Sequence, residues 1–148
     1  MQQKSVHWFP GHMQKAMRQI EEKLKLIDIV IEIVDSRAPH SSKNKFLEKL
    51  TKNKKRIIVM SKKDLVDPNL LKKWEEKYKN ESYYPVPCDL NNNQDVNAIL
   101  KAIQVVGKDK IDRDIRRGMK PQPIRVMVIG IPNVGKSTIF NNLTGMHQ

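Results

Sequence analysis

The residues Gly130-Ile131-Pro132-Asn133-Val134-Gly135-Lys136-Ser137-Thr138 have the types and spacing of a phosphate-binding loop, G-x-x-x-x-G-K-[ST]. The chemistry is anion capture by backbone. A loop between a strand and a helix turns successive N–H groups toward a phosphate, and the helix N-terminus adds its positive end. Gly130 and Gly135 allow backbone conformations that a side chain would hinder. Lys136 is placed to reach the β- and γ-phosphates, and the Ser137 hydroxyl to coordinate Mg²⁺. Pro132, Asn133, Val134 and Thr138 complete the loop and its exit. The flanks agree: Arg125 to Ile129 is an unbroken β-prone run, and Ser137 to Leu143 reads as the opening of a helix. A chance match in a turn would not explain the glycines, the Lys-Ser pair and both flanks together. The pattern points to a bound nucleoside triphosphate.

A second stretch addresses the base. Ser61-Lys62-Lys63-Asp64 directly follows a short apolar run, Ile57 to Met60. A carboxylate at Asp64 can accept from both the N1–H and the 2-amino group of guanine. Adenine offers neither donor in that arrangement and would leave a desolvated carboxylate unpaired. The Lys62 stem can lie across the base plane.

These residues need a scaffold that brings two distant loops together. A helix is expected over residues 12–26, where Met13, Ala16, Met17, Ile20 and Leu24 recur at helical spacing. Ile27 to Val34 reads as a buried strand ending at Asp35. A loop through Ser42 and a short helix with Phe46, Leu47 and Leu50 inward lead to the strand before Ser61. Asp67 caps a helix with Pro68 at its first position and Leu70, Leu71, Trp74 and Tyr78 on its buried side. Tyr83 to Pro87 is a third strand. Asp95 begins another helix, with Val96, Ile99, Leu100 and Ile103 inward, and residues 108–123 form a charged, partly helical crossover. Strands that alternate with helices imply a mainly parallel sheet covered on both faces. In such sheets ligands sit at the carboxyl ends of the strands. Asp35, Ser61, Cys88 and Gly130 are all expected on that one rim.

Composition bounds the partners. The 148 residues suffice for one domain with a real core. They carry 28 Lys plus Arg against 16 Asp plus Glu, a formal charge of +12. That excess favours a polyanion, although a lysine-rich surface also serves solubility. The single cysteine, Cys88, excludes an internal disulfide and fits a reducing compartment. No apolar run approaches the roughly 20 residues needed to span a membrane, and the first residues are not followed by a signal-peptide core. A cytoplasmic protein with no membrane partner is the expectation. His7, His40 and His147 lack metal-ligand spacing, so no zinc site is expected.

With these motifs in view, the chain resembles a known family. The phosphate loop (130–138), the Lys-x-Asp element (61–64) and Pro87-Cys88-Asp89-Leu90 look like the G1, G4 and G5 elements of a Ras-like GTPase. G4 and G5 here precede G1, the order of the circularly permuted GTPases. His7-Trp8-Phe9-Pro10-Gly11-His12-Met13-x-Lys15-Ala16 and Asp35-Ser36-Arg37-Ala38-Pro39-x-Ser41-Ser42 resemble the signatures of the ribosome biogenesis GTPase A, or YlqF-type, family. The resemblance covers nearly the whole chain. It implies a three-layer P-loop NTPase fold in G4-G5-G1 order, one permuted G domain over residues 1–148 and incomplete at its C-terminus. It also implies GTP and GDP as ligands, Mg²⁺ as cofactor, and hydrolysis in assembly of the large ribosomal subunit. Ribosomal RNA or a large-subunit precursor would be the partner.

The resemblance assigns roles residue by residue. Ser61, Lys62, Lys63, Asp64, Cys88 and Asp89 would line the guanine site. Ser61 stands where the family usually has Asn or Thr, and Cys88-Asp89 where it usually has Ser-Ala. A backbone N–H at Asp89 could still serve the guanine O6. Asn133 resembles a loop asparagine that helps bind K⁺, or it shapes the loop. His12 is the candidate for orienting water, or it is a helix-start residue. The Asp35 loop would be structural and partner-contacting, with Arg37 bridging to phosphate or RNA. No Asp-x-x-Gly occurs in the sequence. A fragment of a longer protein is therefore expected, binding nucleotide with little or no turnover, with the phosphate-loop strand unpaired on one flank and prone to association. An ATP-using P-loop enzyme and a non-catalytic RNA-binding remnant are the other classes that fit.

Overall fold

The computed structural model describes residues 10–39 and 45–130. The element order is α1 (Pro10–Leu24), β1 (Ile29–Asp35), α2 (Lys45–Thr51), β2 (Lys55–Ser61), α3 (Pro68–Asn80), β3 (Tyr83–Pro87), α4 (Asn93–Arg116) and β4 (Val126–Gly130). The strands lie in the order β3-β2-β1-β4, and every pairing is parallel. Among the described residues the outer edge of β4 carries no strand.

Alternation along the strands builds three layers. Ile29, Ile31 and Ile33 point to one face, where they join Ile57, Val59 and Val86 beneath Ile99 and Ala102 of α4. The alternate residues point the other way. Val34, Ile58 and Met60 pack under Tyr78 of α3 and Tyr83, and Val30 and Ile129 pack against Leu24 of α1 with Leu50 of α2 beside them. β1 and β2 have helices over both faces, so they read as nearly continuous apolar runs, broken in β1 by Glu32, rather than alternating ones.

Several boundaries differ from the sequence reading. The first helix runs from Pro10 to Leu24 rather than 12–26. Proline at the first helical position loses no intrahelical bond, and a turn follows, with Leu26 N donating to Lys23 O at 3.0 Å. β1 begins at Ile29 rather than Ile27, and the Asp28 and Ile29 amides both donate to Arg125 O, at 2.9 and 3.2 Å. α4 is capped by Asn92, whose side chain accepts from Gln94 N, so Asp95 lies in the first turn and does not begin the helix. The helix then continues for 24 residues through much of the expected crossover. It stops at Gly118, which takes φ +73°. Gly118 N reaches Ile115 O and Met119 N reaches Asp114 O, both at 2.9 Å, the paired bonds of a left-handed helix stop. Leu70, expected inward, is exposed, whereas Asp67 caps α3 as anticipated.

Candidate purine-binding rim

The site is built on the carboxyl ends of the four parallel strands. Asp35 at the end of β1 is in register with Ser61 at the end of β2. Gly130 at the end of β4 pairs with Ile33, and Cys88 N, just past β3, donates to Met60 O at 2.9 Å. The four strand ends thus share one rim. β2 and β4 flank β1, and Gly130 stops two residues short of Ser61 in register, so at about 4.8 Å per strand and about 3.3 Å per residue their ends stand about 12 Å apart. One nucleotide can span that gap. Residues Pro132, Asn133, Val134, Gly135, Lys136, Ser137 and Thr138 of the phosphate loop lie outside the described residues. The Mg²⁺ and K⁺ assignments to Ser137 and Asn133 lie there with them. His12 falls in the first turn of α1. Among the described residues no cluster of three His, Cys, Asp or Glu is arranged to hold a metal.

The loop after β2 is anchored on three sides. Ser61 is buried, and its hydroxyl donates to Val34 O at 2.8 Å. Its carbonyl accepts Ser36 N at 2.9 Å. The side chain therefore braces the loop against β1 and does not face the rim. Lys62 takes a left-handed backbone, φ 58° and ψ 38°, and its Nζ donates to Asp35 Oδ2 at 3.3 Å. A single 3-10 turn follows over Lys63–Leu65 and carries Asp64, which is exposed. Lys63 reaches across to the next loop, with Nζ 2.9 Å from Asp95 Oδ2 and 3.0 Å from Oδ1.

Asp35 ends its strand in a fork. Arg37 Nε donates to Oδ1 at 3.0 Å and its NH2 to Oδ2 at 2.7 Å, while Arg37 N also donates to Oδ1 at 2.9 Å. The Arg37 guanidinium, with Lys62, outweighs burial and holds the Asp35 carboxyl well below the usual carboxylate range. Arg37 is raised in turn by the same partner. The guanidinium that the sequence suggested for phosphate or RNA is engaged by its neighbour two residues away.

The loop after β3 contributes mostly backbone. The Cys88 side chain is fully buried under α4, and burial pushes its thiol up to about 12. Its carbonyl accepts Lys63 N at 3.3 Å. The parity with Val86, two residues earlier on the same face, is the signal that would have turned it inward. Asp89 N donates to Asp95 Oδ2 at 3.0 Å, and Asp89 Oδ1 accepts from Asn91 N at 3.0 Å. The amide considered for the guanine O6 is thus taken up by a carboxylate. Burial alone would lift the Asp95 carboxyl, but the Lys63 ammonium and the Asp89 N–H outweigh it and hold it low. Asp95 is the rim residue that sequence reasoning missed. Its spacing after Asn92 resembles a capping box, which hides a contact made to other loops.

The structure therefore brings together Lys62, Lys63, Asp64 and Asp89 on the rim, and turns the Ser61 and Cys88 side chains inward. The arrangement offers a carboxylate at Asp64 for a purine edge, and a Lys62 stem beside it.

Comparison with known proteins agrees with this geometry. A family model described as a 50S ribosome-binding GTPase matches residues 125–148. Ribosome biogenesis GTPase A of Bacillus cereus is 43% identical over 93% of this chain and 47% of its own length. The protein of that name from Bacillus licheniformis is 45% identical over 93% of this chain and 49% of its own. Among solved structures, GNP-bound YlqF from T. maritima superposes with a TM-score of 0.66 at 31% identity, over 88% of this chain and 48% of that one. The GDP-bound form of that protein gives 0.64 at 30% identity. The chain spans about half the length of the curated relatives it matches.

Proposed function

We propose that the chain belongs to the circularly permuted ribosome biogenesis GTPase A family, that it binds GTP and GDP on this rim and that it acts as a GTPase in assembly of the large ribosomal subunit. One observation carries the reading. The Lys62–Asp64 loop and the strand end at Gly130 flank β1 on the same rim, although the chain meets them in reversed order.

In this reading Asp64 accepts from the N1–H and 2-amino groups of guanine, and Lys62 lies along the ring. The loop amides and Lys136 neutralise the phosphates, Ser137 would hold Mg²⁺ and Asn133 a K⁺ ion, and His12 orients water. Catalysis of phosphoryl transfer needs little beyond such positioning and charge neutralisation. Bound GTP orders the docking surface, and hydrolysis releases the factor from the maturing particle.

Charge supports a ribosomal RNA partner in the cytoplasm. Lys52 and Lys54 in the turn before β2 and Lys55 at its start, with Arg113, Arg116 and Arg117 at the end of α4, sit at the rim opposite the purine loops. Asp109 and Asp28 offset part of this charge through Lys55 at 2.9 Å and Lys110 at 3.3 Å. Affinity for RNA through such a rim falls steeply with salt.

The test is a competition measurement with GTP, GDP and ATP. Guanine nucleotides should displace a fluorescent GDP, and ATP should not. ATP binding tighter than GTP would replace this reading with an ATP-using enzyme. GTP binding without turnover in the presence of ribosomal particles would leave a non-catalytic binding role for this chain.

A further inference from the structure

Asp95 ties three segments that are far apart in sequence. It sits in the first turn of α4, where a carboxylate commonly serves the helix's own amides. Here both its oxygens accept the Lys63 ammonium, at 3.0 and 2.9 Å, and Oδ2 also accepts Asp89 N at 3.0 Å. Lys63 is the residue before Asp64, and Asp89 heads the other purine loop. A backbone bond from Lys63 N to Cys88 O, at 3.3 Å, runs alongside. The Asp95 side chain is only 16% exposed, which shelters its bond to the Asp89 amide, while Lys63 at 37% leaves the ion pair partly screened by water.

The consequence is geometric. Asp64 rides on a single 3-10 turn with no buried residue of its own, a segment that packing cannot hold in place. What fixes that turn relative to the loop after β3 is the Lys63–Asp95–Asp89 connection. A hydrogen-bonded carboxylate can read a purine edge only when it is held within a fraction of an ångström.

We propose that Asp95 is a positioning residue for the purine site: it touches no base, but by gripping Lys63 and the Asp89 amide it sets where Asp64 stands and so how strongly guanine is preferred. This rests on the guanine reading given above. The substitutions separate its two contacts. D95N keeps an oxygen for the Asp89 amide and loses the ion pair, K63M loses the ion pair alone, and D95A loses both.

Affinities for GDP and IDP are measured by displacement of a fluorescent GDP. IDP lacks the 2-amino group and reports on the Asp64 contact. D95A should weaken GDP by about fivefold or more, the scale of one lost hydrogen bond, while IDP weakens less, so the GDP-over-IDP ratio falls. D95N and K63M should fall between. Independently of any nucleotide, amide exchange at Asp89 should be slow in the wild type and in D95N, and fast in D95A. Circular dichroism checks folding, and D95N with K63M carry the test should D95A unfold. Folded D95N and K63M with wild-type GDP and IDP affinities, or an Asp89 amide equally protected in D95A, would overturn the proposal. A wild-type chain that binds GDP no better than ADP would instead overturn the guanine reading beneath it.

Discussion

Asp35→Asn is the most informative single change at the rim. Asparagine keeps the shape and an oxygen for Arg37 N, but removes the charge that Arg37 and Lys62 share. Hydrogen bonds to charged groups contribute about 1.5–3 kcal/mol when sheltered. These partners are not sheltered: the Arg37 and Lys62 side chains are 53% and 36% exposed. Screening discounts these contacts, so removing the Asp35 charge should cost about 1–2 kcal/mol at pH 7. For a chain of this length that lowers Tm by about 3–6 °C. The sign with pH follows from the lowered carboxyl. A folded value below the unfolded 3.8 stabilises at every pH above 3.8, and that contribution fades as pH falls toward the folded value. Urea unfolding of wild type and D35N at pH 7 and pH 3 measures both. The gap should be largest at pH 7 and narrower at pH 3. A D35N chain as stable as wild type at pH 7, or a gap unchanged at pH 3, would show that the fork does not act as described. With Lys62 released, GDP affinity should also fall several-fold at most, since only its tether is lost.

Three further outcomes follow from buried groups and backbone. Arg56 is buried, donates to Tyr83 Oη at 3.0 Å and to Glu81 O at 2.9 Å, and stacks 3.9 Å from the Tyr83 ring centroid, while Tyr83 Oη donates to buried Glu32 at 3.3 Å. Arg56→Met should cost about 1–3 kcal/mol by urea unfolding, because Glu81 O and Tyr83 Oη lose their donor in the protein interior. Cys88 should resist thiol reagents in the native state and react only on unfolding. Its raised thiol means that stability should decline as pH climbs from the ordinary 9.0 toward 12, since the unfolded thiol ionises first. Ser82 holds φ 69°, so Ser82→Gly should raise stability by up to about 1 kcal/mol, read as a shift in urea midpoint.

Much of the architecture was legible in the residues alone. The runs 29–34, apolar but for Glu32, and 57–60 read as buried strands with helices on both faces, and Asp67-Pro68 announced the start of α3. The reversed order of the Lys-x-Asp element and the phosphate loop followed from chain position alone. Element ends were less legible. A 24-residue α4 was not visible, because the charged stretch after Lys108 keeps only a sparse apolar stripe.

Residue types and spacing by themselves determined which loops could meet a nucleotide and the chemistry each would offer, since donors, acceptors and the 2.0 and 3.6 periods are local properties. Only the tertiary structure decided which of those side chains face the rim. Ser61 turns inward to Val34 O across 27 positions, and Lys63 meets Asp95 across 32. Such partners are chosen by the parallel register of strands distant in sequence, and no local pattern encodes that register.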